Sequence, residues 1–147
     1  MKKLFIVLCF FSFIILFAGN NPINDFSKAK EIAKTEKKLI LLKFSGSDWC
    51  VPCIKLQKQI IDSDEFHFFS EKNLVLMNAD FPRLKKNKLS KEEQQLNEAL
   101  AEKFNKEGVF PKLILINSDG KILAHWEGFN NWTPNTLINE IRPFLGK

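Results

Sequence analysis

Two cysteines two residues apart, Cys50-Val51-Pro52-Cys53, are the side chains of this sequence best suited to chemistry. They follow a strand-like apolar run, Leu39 to Phe44, and open a helical pattern. A turn there brings two sulfurs within disulfide reach. The unpaired N–H groups and dipole of the helix N-terminus favour a thiolate on the first of them. Cysteines in such settings ionise at about 3.5–7.5 instead of about 8.5. Cys50 is the expected nucleophile. Cys53, one turn inward, is the expected resolving thiol, which attacks a mixed disulfide and releases the partner. The Cys50–Cys53 pair would itself carry the electrons, so no separate cofactor is expected. Pro52 suits the first helical turn, and Trp49 offers an aromatic wall beside an open sulfur.

Other uses of a CxxC have less support. A zinc site needs two more ligands, and only His67 and His125 are on offer, so no metal is expected. Ile54 follows the second cysteine where a haem-attachment motif has His. An inert surface dithiol is the remaining rival. His125, on a strand, reads as a face residue, and His67 as the end of a helix packing on the sheet.

The elements that must hold the pair follow from apolar spacing and punctuation. Asn24 or Asp25 can cap a helix to about Lys37 with Phe26, Ala29, Ile32 and Ala33 on one face. Leu39 to Phe44 reads as a strand covered on both faces. The helix from Cys50 carries Ile54, Ile60 and Ile61 inward. Leu74 to Met77 is a second buried strand, and Phe81 to Leu89 a basic connection. Ser90 and Glu93 form a capping box for a helix with Leu96, Leu100 and Phe104 inward. Leu113 to Ile116 is a third strand. Asn117 to Gly120 is a hairpin turn into a strand at Lys121 to Trp126. Thr133-Pro134 starts a last helix, with Leu137, Ile138 and Ile141 inward and Pro143 at its end. This order predicts an α/β fold, a mixed sheet with helices on both faces.

Length and charge bound the rest. The 147 residues suit one domain. Residues 1–19 read as a signal peptide: Lys2 and Lys3 precede an apolar stretch too short for a comfortable span of about 20 residues. Cleavage leaves a domain over 20–147 with no membrane span; an uncleaved segment would anchor it. Cys9 would leave with the signal, so the CxxC holds the only sulfurs able to pair in an oxidising compartment. The net charge of +5 includes Lys2 and Lys3. Without a basic stripe interleaved with aromatics, nucleic acid is not an expected partner. Lys85, Lys86 and Lys88 read as a solvated loop, or as an attraction for acidic partners. Fifteen Phe and no Tyr imply a core without buried phenol hydroxyls to satisfy.

These residues resemble the thioredoxin family over nearly the whole domain. The likeness rests on Phe44, Trp49-Cys50-Val51-Pro52-Cys53, Asn78-Ala79-Asp80, Phe110-Pro111, Asp119-Gly120 and Gly128, in the family's order. The lead-in Gly46-Ser47-Asp48-Trp49-Cys50 and the long second loop are closer to secreted bacterial members. The resemblance implies a thioredoxin fold with a four-stranded sheet. It also implies protein thiol–disulfide exchange without fixing the direction of electron flow; the proline of Val51-Pro52 favours reductase or isomerase work over oxidation, and the signal peptide a periplasmic or secreted location. Client proteins with thiols or disulfides and a membrane electron-transfer partner would be its partners. The alternative is a non-catalytic module holding unfolded clients; a peroxidase lacks an assisted peroxidatic cysteine. Pro111 matches the family's cis-proline, which would offer the backbone of Phe110 to an extended substrate. Phe110 is larger than the residue usual there. The family also keeps a buried acid before the matched Phe for proton transfer to the inner cysteine. Lys43 stands in that place, and Leu76 where its lysine partner would be. Lys43 either points to solvent or lies near the thiols and favours thiolate. Asp48 and Glu127 are distant substitutes for the missing acid.

Overall fold

A computed structural model describes residues 25–129 and 131–146. The signal-peptide reading of residues 1–19, with Cys9, lies outside them. Helix α1 spans Phe26–Glu36, and the Asp25 carboxylate accepts from the N–H groups of Ser27 and Lys28 at its start. Strand β1 spans Leu39–Ser45. Helix α2, Val51–Leu56, widens into a π turn over Gln57–Ile61, and α3 spans Asp64–Asn73. Strand β2, Leu74–Asp80, is followed by the loop with a 3₁₀ turn at Lys85–Asn87. Helix α4, Lys91–Phe104, begins with the expected capping box of Ser90 and Glu93. Strands β3, Lys112–Ile116, and β4, Ile122–Glu127, form the hairpin, and α5 covers Pro134–Ile141 before a 3₁₀ turn at Arg142–Phe144.

The four strands lie in the order β2-β1-β3-β4, with β1 and β2 parallel and the other neighbours antiparallel. Alternation along a strand sends successive side chains to opposite faces. Ile40, Leu42 and Phe44 of β1 meet Ala29 and Ala33 of α1 and Leu100 and Phe104 of α4. Leu41 meets Leu56, Ile60, Phe66 and the α5 residues Leu137, Ile138 and Ile141 on the other face. The chain therefore has the expected thioredoxin fold. Burying a large apolar side chain such as Phe66 contributes about 1.5–3 kcal/mol, and the central β1 is held on both sides.

Three expectations are corrected. The helix from Cys50 is not continuous to His67: the Ser63 hydroxyl accepts from the Phe66 N–H and starts α3 afresh. His67 does not pack on the sheet. Its side chain is half-exposed beside Glu71, with Nδ1 to carboxylate 3.6 Å, and Phe66 takes the inner place. Leu96 is exposed, and Asn97 instead lies buried on the inner side of α4, its amide donating to the Asp80 carbonyl at 2.8 Å.

Candidate active site

Strand β1 ends at Ser45, and five residues lead from it to Val51 at the start of α2. Gly46 makes the turn: its carbonyl accepts from the N–H of Trp49 at 3.3 Å and of Cys50 at 2.9 Å. A Cβ at Gly46 would lie 2.2 Å from the Trp49 ring, so only glycine lets the indole fold over this turn. Cys50 is the N-cap of α2, and its sulfur accepts from the Cys53 N–H at 3.3 Å. A sulfur so placed faces the helix's unpaired N–H groups, which stabilise negative charge on it once reduced. Cys50 and Cys53 are joined as a disulfide with Cα atoms 5.2 Å apart. Pro52 lies in the first turn of α2. The sulfur of Cys50 is less open than expected: the residue is 5% exposed and Cys53 2%. Val51 and Pro52 stand exposed beside the pair.

Aromatic rings and a tethered loop frame the disulfide. Trp49 donates from Nε1 to the Phe81 carbonyl at 2.7 Å. Its ring meets Phe110 edge-on, with centroids 5.6 Å apart, and Phe110 meets Phe81 in the same way at 5.6 Å. The Phe110–Pro111 bond is cis, and Pro111 is buried. Phe110 is thus half-buried, its ring packed against Trp49 and Phe81. The Pro111 carbonyl accepts from the Gly128 N–H at 2.9 Å, which ties this loop to the end of β4. Next to it Lys112 is buried, with carboxylates of Glu127 at 3.1 Å and Glu107 at 3.7 Å. Glu127 is therefore committed on this side of the sheet. On the α2 flank, Val51, Pro52, Lys55, Gln59, Phe129 and Asn131 line a shallow cleft of about 220 Å³.

Two carboxylates brace the approach to the cysteines. Asp80, at the end of β2, accepts from the Ser47 N–H at 2.8 Å and the Ser47 hydroxyl at 2.6 Å. Asp48 accepts from the N–H groups of Arg83 and Leu84 and from Asn87 Nδ2, each at 2.9 Å. Those bonds, the Arg83 N–H foremost, hold the Asp48 carboxyl below its usual range. Asp48 therefore anchors the 81–89 loop, which brings Arg83 over the Trp49 ring at 3.7 Å. Sequence reasoning assigned neither residue this part. The acid directly before Trp49 is the one signal that points to it, since a short carboxylate beside a loop commonly collects backbone N–H groups.

Lys43 is half-buried and turned toward the cysteine helix, not free in solvent. It lies two residues beyond Leu41 on β1, and so on the α2 face of the sheet. Its ammonium donates to Gln57 Oε1 in the π turn, and Gln57 Nε2 donates to Asp62 at 2.6 Å. The Gln57 N–H in turn donates to the Cys53 carbonyl. Lys43 thus supports the turn that follows the cysteines. Burial lowers its pKa, opposed by the charges of Asp80 and Asp62.

With two adjacent sulfurs at a helix N-terminus and an aromatic rim, the arrangement can form, exchange and release disulfides. A family model of the thioredoxin-like domain matches residues 26–142. The chain is 40% identical over 128 residues to the disulfide bond reductase DsbH of Chlamydia pneumoniae, covering 87% of this chain and 75% of that protein. It is 30% identical over 113 residues to the thioredoxin-related protein DsbJ of the same organism, covering 77% of this chain and 32% of that one. Among solved structures, a DsbH oxidoreductase superposes with a TM-score of 0.73 at 36% identity, covering 82% of this chain and 81% of that one. The oxidised C-terminal domain of Neisseria meningitidis DsbD shares the fold, with a TM-score of 0.52 at 20% identity and coverage of 80% and 90%.

Proposed function

Because the chain belongs to the thioredoxin-like family and is a protein thiol–disulfide oxidoreductase, we propose that it reduces or isomerises disulfides of exported client proteins through Cys50 and Cys53. The observation that carries this reading is the disulfide at the N-cap of α2, flanked by Trp49 and the Phe110–Pro111 loop. In the reduced protein the Cys50 thiolate attacks one sulfur of a client disulfide. A Cys50–client bond forms, and the second client sulfur leaves as a thiolate that takes up a proton. Cys53 then loses its proton and attacks the Cys50 sulfur. The Cys50–Cys53 disulfide forms, and the first client sulfur departs as a thiol. Two electrons have passed to the client, and a dithiol donor must restore them.

Reduction is favoured over oxidation because a relative at 40% identity is named a disulfide bond reductase. Val51-Pro52 keeps the proline of reducing motifs. Trp49, Pro52, Phe110 and Pro111 would shape the seat of an extended client segment. Residues 1–19 support export to the periplasm, with anchoring if they are retained. Among the described residues no helix is long and apolar enough to cross a membrane. An exported reductase would draw electrons from a membrane partner, since this domain carries only the one dithiol.

A reduction potential for the pair near about −270 mV, with insulin reduction abolished by Cys50→Ser, is the expected result; a value near about −120 mV would make the protein an oxidant. The module that binds clients without chemistry makes the opposite prediction: no insulin reduction, and Cys50→Ser still complementing in cells.

A further inference from the structure

Arg83 is exposed, yet it is held at both ends. Its N–H donates to the Asp48 carboxylate at 2.9 Å, and its guanidinium lies 3.7 Å from the centre of the Trp49 ring. Trp49 immediately precedes the nucleophile Cys50. Among the described residues, no carboxylate lies within 4.0 Å of the guanidinium, and its side chain has no hydrogen-bond acceptor. A planar guanidinium presents five donors in a fork that matches a carboxylate. Contact with the ring restrains the guanidinium, so less further ordering is needed to use it.

Arg83 also stands at the wall of a cleft of about 320 Å³ between the 81–89 loop and α4. Phe81, Pro82, Leu84 and Leu89 supply apolar lining, and Lys85 and Lys88 add two cations. Opposing charges are few and mostly committed. Of the two acids in the lining, Asp80 directs its oxygens to the Ser47 donors already described, leaving Glu98 on α4; Asp48, outside the lining, is held by Arg83, Leu84 and Asn87.

We propose that Arg83 is a specificity-determining residue, which receives a carboxylate of the client segment that carries the target disulfide and seats the neighbouring apolar side chain in this cleft. The proposal rests on the oxidoreductase reading. The partner is a protein segment because Arg83 lies over Trp49, the residue preceding Cys50, where a chain presenting its own sulfur gains from being held. It predicts that disulfides flanked by Glu or Asp and a Leu-sized residue are reduced faster than those flanked by Lys.

The test uses reduced protein and two disulfide peptides that differ only in Glu or Lys beside the cysteine, with second-order rates followed by stopped-flow fluorescence. About a 10-fold preference for the Glu peptide is expected at low salt, as for a few surface charge pairs acting together. The preference should shrink toward unity in 0.5 M salt. Arg83→Gln should erase most of it, and Arg83→Lys should restore only part, because lysine lacks the planar fork. Equal rates for both peptides in the wild-type protein, or an unchanged ratio in Arg83→Gln, overturn the proposal. If neither peptide is reduced, the oxidoreductase reading fails. Binding of a disulfide-free Glu-Leu peptide to the oxidised protein, titrated by NMR over residues 81–89, then decides the receptor: saturable binding lost in Arg83→Gln upholds it, and no shift overturns it.

Discussion

Replacing Lys43 with Met should make the oxidised protein more stable at neutral pH. The ammonium is partly buried beneath α2, where its hydrogen-bond acceptor is the neutral Gln57 amide. Removal from water lowers its pKa from the ordinary 10.5, and the charges of Asp80 and Asp62 offset this only in part. The unfolded chain therefore holds the Lys43 proton more tightly than the folded one. Below the folded-state pKa the full cost of a buried charge is present. As pH rises from there toward 10.5, the folded amine sheds its proton and stability climbs. Met keeps the length of the stem and removes the charge. Replacing buried ionic groups by apolar residues of similar volume ranges from neutral to a gain of about 1–4 kcal/mol. Losing the bond to Gln57 gives back about 0.5–1.5 kcal/mol, and Gln57 keeps Asp62 as a partner at 2.6 Å. The net expectation is a gain of up to about 2 kcal/mol at pH 7. Urea denaturation of both proteins from pH 7 to pH 10 measures it. The difference between mutant and wild type should be largest at pH 7 and shrink as pH rises. A variant less stable at pH 7, or a difference flat across this range, would show that Lys43 is held by favourable contacts and carries no desolvation cost.

Other perturbations probe other links. Phe66→Ala empties a fully buried site between α2, α5 and the sheet; a loss of about 3–5 kcal/mol in urea denaturation is expected, and under 1 kcal/mol would contradict the packing described. Asp48→Ala should release the 81–89 loop, seen as faster amide exchange at Arg83 and Leu84 with α4 unaffected. In the wild-type protein the same protection should persist from neutral pH down through the ordinary carboxylate range. It should fail only below that range, because the folded-state pKa of Asp48 is depressed. Cys53→Ala should accumulate mixed disulfides with clients, trapped on Cys50 and identified by mass spectrometry; no trapping on Cys50 would remove the resolving role of Cys53.

The legible part of this molecule was the part written in local patterns. Leu39 to Phe44, the Ser90–Glu93 box and Thr133-Pro134 each state an element in a few residues, and each element stands where expected. The Cys50–Cys53 pair and Phe110–Pro111 were readable for the same reason, as short motifs with fixed spacing. The Ser63 break was harder, because the apolar period runs on through Ile60 and Ile61 while the backbone widens into a π turn. Leu96 lost its expected inner place for a tertiary reason: Asn97 takes that side of α4, where its amide donates to the Asp80 carbonyl. Arg83 and Asp48 lie 35 residues apart, and nothing local announces their bond or the stack on Trp49. Lys43 interrupts an apolar run, which signals a strand equally well whether the amine escapes to water or finds Gln57.

The central claim is that α2 poises Cys50 as an anion while Cys53 waits to resolve. Alkylation of the reduced protein across pH 4–9, with mass spectrometry to follow each cysteine, tests it most directly. Cys50 should react rapidly near pH 6, where a free cysteine with a pKa of about 8.5 is almost wholly thiol, and Cys53 should lag behind it at every pH. Two cysteines that both follow the free-thiol curve would contradict the account.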